Sequence, residues 1–256
     1  MINLGLSGRN VLVTGGSSGI GLAVADAAAG ERAGVGIIGR SAERLEGALT
    51  SLRASHPDVS IVGATADVAD EDSLRAAIDS IARELGGLDH VVSSAGVAGP
   101  LGDAVDAVPT DEFLDVQRIN VVGPFLTAKL TLPYLQKGTT PTLNLIGSDS
   151  GFVAVPGMLP YNAAKGAIVQ LTRALSVELY EPFGIRVNSV CPSIVDTPMS
   201  RNGMGIESFA DVGYPVSTPD NIAWLVLSLM SPNSVAVNGV SLIADFGFHA
   251  RSSFPA

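Results

Sequence analysis

Apolar positions along this chain follow two patterns. Short runs of consecutive aliphatic and β-branched residues, bounded by glycine or serine, alternate with stretches where apolar residues recur every three or four positions. The runs predict strands at "NVLVTG" (10–15), "GVGIIG" (34–39), "VSIVGA" (59–64), "LDHVVSSAG" (88–96), "TLNLIGS" (142–148), "IRVNSV" (185–190) and "GVSLIA" (239–244). Helices are expected over 19–29, from Ser41, from a cap at Asp70 to about residue 86, through a long region ending near 136, from Pro160, and over 218–230. Strand–helix units of about thirty residues imply right-handed crossovers, and therefore a parallel sheet covered on both faces. The expected fold is α/β: a single doubly wound domain over 1–256 with a seven-stranded parallel sheet.

Composition narrows the use of such a fold. Hydrophobic residues make up 46% of the chain and charged residues 16%, which excludes a disordered chain. A net charge of −10 makes nucleic acid or an anionic membrane surface an unsuitable partner. The longest apolar runs, such as "AWLVLSLM" at 223–230, fall far short of the ~20 residues of a membrane span, and no basic-then-apolar leader opens the sequence. A single cysteine, Cys191, fits a reducing compartment and is expected to be a small buried residue. His56, His90 and His249 lack metal-ligand spacing, so no metal is expected. The expectation is a cytoplasmic α/β protein.

Three constellations carry chemistry. The first is "TGGSSGIG", Thr14–Gly21, between a strand and a helix. Gly15 permits a sharp turn, and Gly19 and Gly21 allow close approach of backbone to a dinucleotide pyrophosphate. Across Ser17, Ser18, Gly19 and Ile20 the opening helix offers unpaired amides and a positive dipole end. The second is "IIGRSAERL" after the second strand, where Gly39 stands in place of an acid that would bind ribose hydroxyls. Arg40, with Ser41 assisting, matches a 2′-phosphate instead, favouring NADP(H) over NAD(H); the alternative is a solvated arginine at a helix start. The third is Tyr161 and Lys165, one helical turn apart, where an ammonium can lower the pKa of a phenol toward a working range. Ser148, thirteen residues before Tyr161 at the end of a strand, can polarise a carbonyl; Ser150 is its rival.

With "DV" at 67–68, "SSAG" at 93–96, "RIN" at 118–120, "IGSDSG" at 146–151, "YNAAK" at 161–165 and "CPSIVDT" at 191–197 in the same order, the sequence resembles the short-chain dehydrogenase/reductase family from Val11 to about Gly247. The resemblance implies a Rossmann-type fold and an NAD(P)-dependent enzyme acting on a ketone, aldehyde or alcohol. It implies catalytic roles for Asn120, Ser148, Tyr161 and Lys165, with Asn120 holding a water and Lys165 also holding the nicotinamide ribose. Asp67 and Val68 would meet the adenine, Ala95 and Gly96 would border the cofactor, and Pro192, Val195 and Thr197 would flank the nicotinamide. Asp67 is equally readable as a turn residue. Ser94 replaces the family's amide, so weaker contact with the central sheet is expected. A symmetric dimer of dimers is also implied, with Ala163, Ala164, Gly166 and Ala167 allowing close helix packing. The family also reduces 3-oxoacyl thioesters, for which Arg118, Lys129 and Arg173 would form a thin basic patch. A catalytically silent NADP-binding sensor is the alternative of another class.

The substrate side is less defined. Ser193 replaces a family glycine and must avoid positive φ. Residues 198–216, with Met199, Met204, Ile206, Phe209 and Tyr214, read either as a lid for a small apolar carbonyl or alcohol substrate or as ordinary loop packing. Asp149 is either a solvated turn residue or a substrate contact. Phe246, Phe248 and Phe254 in the tail suggest a subunit contact.

Overall fold

A computed structural model describes residues 4–251; Phe254 lies outside them. The strands are β1 (Asn10–Thr14), β2 (Gly34–Gly39), β3 (Ile61–Thr65), β4 (His90–Ser93), β5 (Thr142–Ile146), β6 (Arg186–Pro192) and β7 (Ser241–Ala244). They form one parallel sheet in the order β3-β2-β1-β4-β5-β6-β7. The helices are α1 (Gly19–Gly30), α2 (Ala42–Ser55), α3 (Glu71–Leu85), α4 (Thr110–Gln117), α5 (Gly123–Leu135), α6 (Leu159–Phe183), α7 (Pro198–Met204) and α8 (Pro219–Met230).

Successive strand residues feed opposite cores. Val11, Val13, Val35 and Ile37 pack with α1, α2 and α8, through residues such as Val24, Leu49 and Val226. Leu12, Ile38, Leu143 and Leu145 pack with α3, α5 and α6, through Ile78, Leu126 and Ile168. Both faces being dry explains why these strands read as continuous apolar runs rather than alternating ones. Each fully buried aliphatic side chain contributes roughly 1.5–3 kcal/mol.

Helix ends follow local chemistry. Ser41 and Asp70 cap α2 and α3 by accepting from Arg44 N and from Asp72 N and Ser73 N. Gly86 and Gly184 end α3 and α6 in the left-handed conformation. Four expectations need adjusting. The third strand starts at Ile61, and the fourth ends at Ser93, so Ser94–Gly96 form a loop. The long helical region is broken by a π turn at Arg118–Val122. A seventh helix, α7, stands within 198–216, started by a Thr197–Ser200 capping box and Pro198.

Chain order reverses between β1 and β4, which are neighbours in the sheet. At such a point the loops leaving the carboxyl ends of the two strands diverge and open a crevice. The glycine-rich turn leaves β1 there, and Ser94–Gly96 leave β4 there.

Candidate active site

The glycine turn is packed so closely that side chains could not replace its glycines. Gly15 has φ +69°, and a Cβ there would lie 2.7 Å from the Ala95 nitrogen. A Cβ on Gly21 would lie 2.3 Å from the Gly15 carbonyl oxygen. Gly19, at φ +54°, approaches Thr197: a Cβ would lie 3.2 Å from its Cγ2. Motif pieces distant in sequence therefore meet here: Gly15 with Ala95, and Gly19 with Thr197. Ser18 at the head of α1 makes no side-chain cap, and no acidic residue occupies the first turn. Helices α2, α3, α7 and α8 are side-chain capped, whereas α4, α5 and α6 are uncapped like α1 but have no glycine cradle before them. Backbone amides at a helix start, beside tightly packed glycines, fit a dinucleotide pyrophosphate.

At the end of β2, Gly39 is buried and a Cβ there would meet Ser17 Oγ at 2.9 Å. An acid could not occupy that position without moving Ser17. Arg40 is exposed and makes no hydrogen bond or ion pair among the described residues, while the Ser41 oxygen caps α2. Asp67 Oδ1 accepts from Ala69 N at 2.9 Å, a local turn that leaves its second oxygen open. Val68 is buried against Gly123. Ser94 N donates to the Thr14 carbonyl, and among the described residues the buried Thr14 hydroxyl has no partner.

The π turn presents Asn120 inward. Its Oδ1 accepts from Val97 N at 2.9 Å and its Nδ2 donates to Val97 O at 2.8 Å, clamping the loop after β4. A Cβ on Gly96 would lie 3.1 Å from that Oδ1, so Gly96 and Asn120 are in contact as well.

Ser148 follows β5 and is buried; Ser150 N donates to its hydroxyl oxygen at 3.1 Å, and the hydroxyl donates to Asp149 Oδ1 at 3.1 Å. Tyr161 and Lys165 sit in the first turns of α6, which Pro160 helps to start. Lys165 is buried, donates to the Ile146 carbonyl at 2.8 Å and lies 5.4 Å from the centroid of the Tyr161 ring. Burial pushes the Lys165 amine down to about 8, with the Cys191 thiol opposing that shift. The expected lowering of the Tyr161 pKa is not what this geometry produces. Burial pushes the phenol up to about 12; a hydrogen bond to Ser148 pulls the other way, and Asp149 and Cys191 add to the rise. Part of the Tyr161 surface remains open. The hydrogen bond to Ile146 directs the Lys165 ammonium toward the end of β5, and burial sets the direction of the phenol's shift.

Beside the Asn120–Val97 clamp lies a cleft of about 520 Å³ lined by Gly96, Val97, Ala98, Leu101, Met199 and Asn202, among others. Met199 is therefore on its wall. Met204 and Tyr214 are exposed and touch each other, the phenol hydroxyl lying 4.0 Å from the sulfur. Phe209 is buried and is not part of that wall. Pro192 and Val195 are buried, and Ser193 N donates to Ala244 O with φ outside the positive region. Cys191 is buried, as expected.

Residues 15–249 match the family model described as "Enoyl-(Acyl carrier protein) reductase". Over 251 residues the chain is 34% identical to 2-(R)-hydroxypropyl-CoM dehydrogenase of Xanthobacter autotrophicus, covering 94% of this chain and 99% of that protein. The chain belongs to the short-chain dehydrogenase/reductase family. This dehydrogenase is also 30% identical over 254 residues to the NADP-dependent (R)-specific alcohol dehydrogenase of Lentilactobacillus kefiri, covering 96% and 98% of the two chains. Levodione reductase shares its structure with a TM-score of 0.89 at 29% identity, over 96% of this chain and 99% of that one. The protein is an oxidoreductase acting on a CH–OH or C=O group, from a family that binds nicotinamide cofactors. Among the described residues no helix is long and apolar enough to cross a membrane, and no group of His, Cys, Asp and Glu could hold a metal.

Two parts of this short-chain dehydrogenase's site were not anticipated. Val97, Leu101 and Asn202 on the cleft wall carry no motif, though the Thr197–Ser200 capping box and Pro198 were signals for α7. The contact of the Ser148 amide with the Cys191 thiol, which helps to set the Cys191 pKa, joins residues 43 apart and has no local signal.

Proposed function

We propose that the protein is an NADP(H)-dependent carbonyl reductase and alcohol dehydrogenase with Tyr161 as its acid and base. The observation that carries this reading is the convergence of Ser148, Tyr161 and Lys165 where β5 meets α6, in the crevice that the glycine turn also borders. Gly15, Ser17, Ser18, Gly19, Ile20 and Gly21 would hold the pyrophosphate, Asp67 and Val68 the adenine, and Ala95, Gly96, Pro192, Val195 and Thr197 the nicotinamide end. The bound cofactor supplies hydride to a carbonyl carbon, or takes it from a carbinol. Ser148 donates a hydrogen bond to the substrate oxygen. Tyr161 gives that oxygen its phenolic proton in reduction and withdraws it in oxidation. A phenol near 12 holds its proton at neutral pH, which suits reduction. Lys165, anchored on Ile146 O, favours the phenolate left behind and binds the ribose; Asn120 and water complete the proton path.

Cofactor choice rests on Gly39, Arg40 and Ser41. The guanidinium has no partner among the described residues, and the neighbouring position is a glycine where an acid would have to displace the Ser17 side chain. Apolar side chains at the cleft, Leu101 and Met199 among them, support a small apolar substrate under a lid formed by 198–216. Exposed Phe125, Val177, Trp224, Phe246 and Phe248 support a homotetramer, which sedimentation tests. The 3-oxoacyl thioester reading draws less support, because Arg118 and Lys129 are paired with Asp115 and Glu71.

A panel of ketones and alcohols followed by NADPH and NADH absorbance tests the reading. Tyr161→Phe keeps cofactor binding and loses most turnover; near-normal turnover in that variant rejects the acid–base assignment. Arg40→Ala weakens NADPH binding and leaves NADH binding as it was; equal NADPH affinity in both proteins removes the case for the 2′-phosphate.

A further inference from the structure

Asp149 has a feature that hydride transfer to a simple ketone leaves unused. It is a half-buried carboxylate next in sequence to Ser148, and its Oδ1 takes the hydrogen bond of the Ser148 hydroxyl at 3.1 Å. Among the described residues no donor meets its Oδ2, and no cation pairs with it. A serine hydroxyl has one proton. Tyr161 and a substrate carbonyl draw on the same proton, so while it points at Asp149, with Ser150 N already donating to the oxygen, neither receives it. A carboxylate partly withdrawn from water also requires a donor of its own. Both shortages end together if the substrate brings a hydrogen-bond donor to Asp149 and thereby returns the Ser148 proton to the carbonyl.

We propose that Asp149 selects substrates carrying a hydroxyl on the carbon next to the reacting carbonyl: α-hydroxyketones in reduction and vicinal diols in oxidation. The hydroxyl donates to the carboxylate while the adjacent carbonyl oxygen accepts the Ser148 hydrogen bond and receives the Tyr161 proton. The two substrate oxygens sit on neighbouring carbons, as the two acceptor and donor residues sit on neighbouring positions of the chain. The apolar remainder faces Leu101 and Met199. A site built around a hydrogen bond rejects an analogue lacking the proton far better than an apolar wall rejects an extra methyl group.

This inference rests on the carbonyl reductase reading, and the test separates the two. The probes are α-hydroxyacetophenone, its methyl ether α-methoxyacetophenone, and acetophenone, assayed with NADPH and with NADH. The wild type is expected to favour the hydroxyketone over its methyl ether by roughly tenfold in kcat/KM. Asp149→Ala brings that ratio close to one, raising activity on acetophenone because the Ser148 proton is free. Asp149→Asn, which keeps the volume, falls between them. Cofactor binding followed by fluorescence verifies that both variants are folded, and wild-type-like folding with a ratio near one supports the assignment. Turnover of all three ketones with a ratio that neither variant changes overturns this inference and leaves the reductase reading standing. No turnover of any ketone by wild type with either cofactor overturns both.

Discussion

Removing the Asn120 amide has a cost that follows from two hydrogen bonds. Asn120 is 2% exposed, and its side chain holds both the N–H and the C=O of Val97. In Asn120→Ala both backbone groups lose their partners. A buried polar group left unsatisfied costs about 1–3 kcal/mol. Val97 is only half-buried, so water recovers part of that, and the sum is about 2–4 kcal/mol. For a chain of this size each kcal/mol moves the melting temperature by roughly 2–4 °C. The expected fall is therefore about 5–15 °C, read from the circular dichroism of the helices on heating. Asn120→Asp has the same shape and still accepts from Val97 N, but turns a carboxylate oxygen toward Val97 O. It is expected to lose at least as much stability, which separates lost donation from lost volume. A melting temperature within about 2 °C of wild type in both variants would refute the clamp, since neither bond could then contribute net stability.

Other perturbations address the rest of the molecule. Gly21→Ala forces a Cβ to within 2.3 Å of the Gly15 carbonyl, so the turn must shift, and dinucleotide affinity measured by fluorescence titration falls at least tenfold. Unchanged affinity would mean that the turn is not the phosphate cradle. His90 is fully buried, and burial holds its imidazole down at about 4 against 6.5 in the unfolded chain. The unfolded state binds the extra proton first, so stability declines as pH falls through 6.5 and levels off below about 4, by at most about 3 kcal/mol. Urea unfolding of His90→Gln is expected to lack that acid limb; an unaltered slope would contradict it. Because burial places Lys165 near 8, ketone reduction is expected to weaken above about that pH as the ammonium discharges. Alcohol oxidation climbs with alkalinity because Tyr161 must give up its proton, and a pH–rate profile flat in both directions would rule this out.

Much of the architecture was legible because buried parallel strands cannot hide their apolar runs. Val11–Thr14 and Val35–Gly39 read as strands without any partner being known, and the cap at Asp70 and the proline at 160 marked helix starts by local chemistry alone. The Tyr161–Lys165 pairing was legible through spacing: four residues on a helix are one turn, whatever surrounds them. Properties set by distant neighbours were not. A π turn depends on which carbonyl each amide selects, so Asn120 looked like a polar residue inside a continuous helix. The direction of the Tyr161 shift needed the burial around the phenol and the carboxylate of Asp149, and a spacing of four carries neither. Phe209 looked suited to the cleft because apolar residues in a loop do not declare whether they face a ligand or the core.

The head of α1 differs from those of α2, α3, α7 and α8 in having no side chain over it. Those other helices are finished by their own sequence, whereas under the proposed function the amides at this one, beside tightly packed glycines, would be met by the cofactor phosphates. On that proposal the dinucleotide would serve as a folding ligand as well as a reagent, and the melting temperature should climb with its concentration as RT ln(1 + [L]/Kd) requires. In a cell, the nicotinamide pool would set how long this chain survives as well as how fast it works.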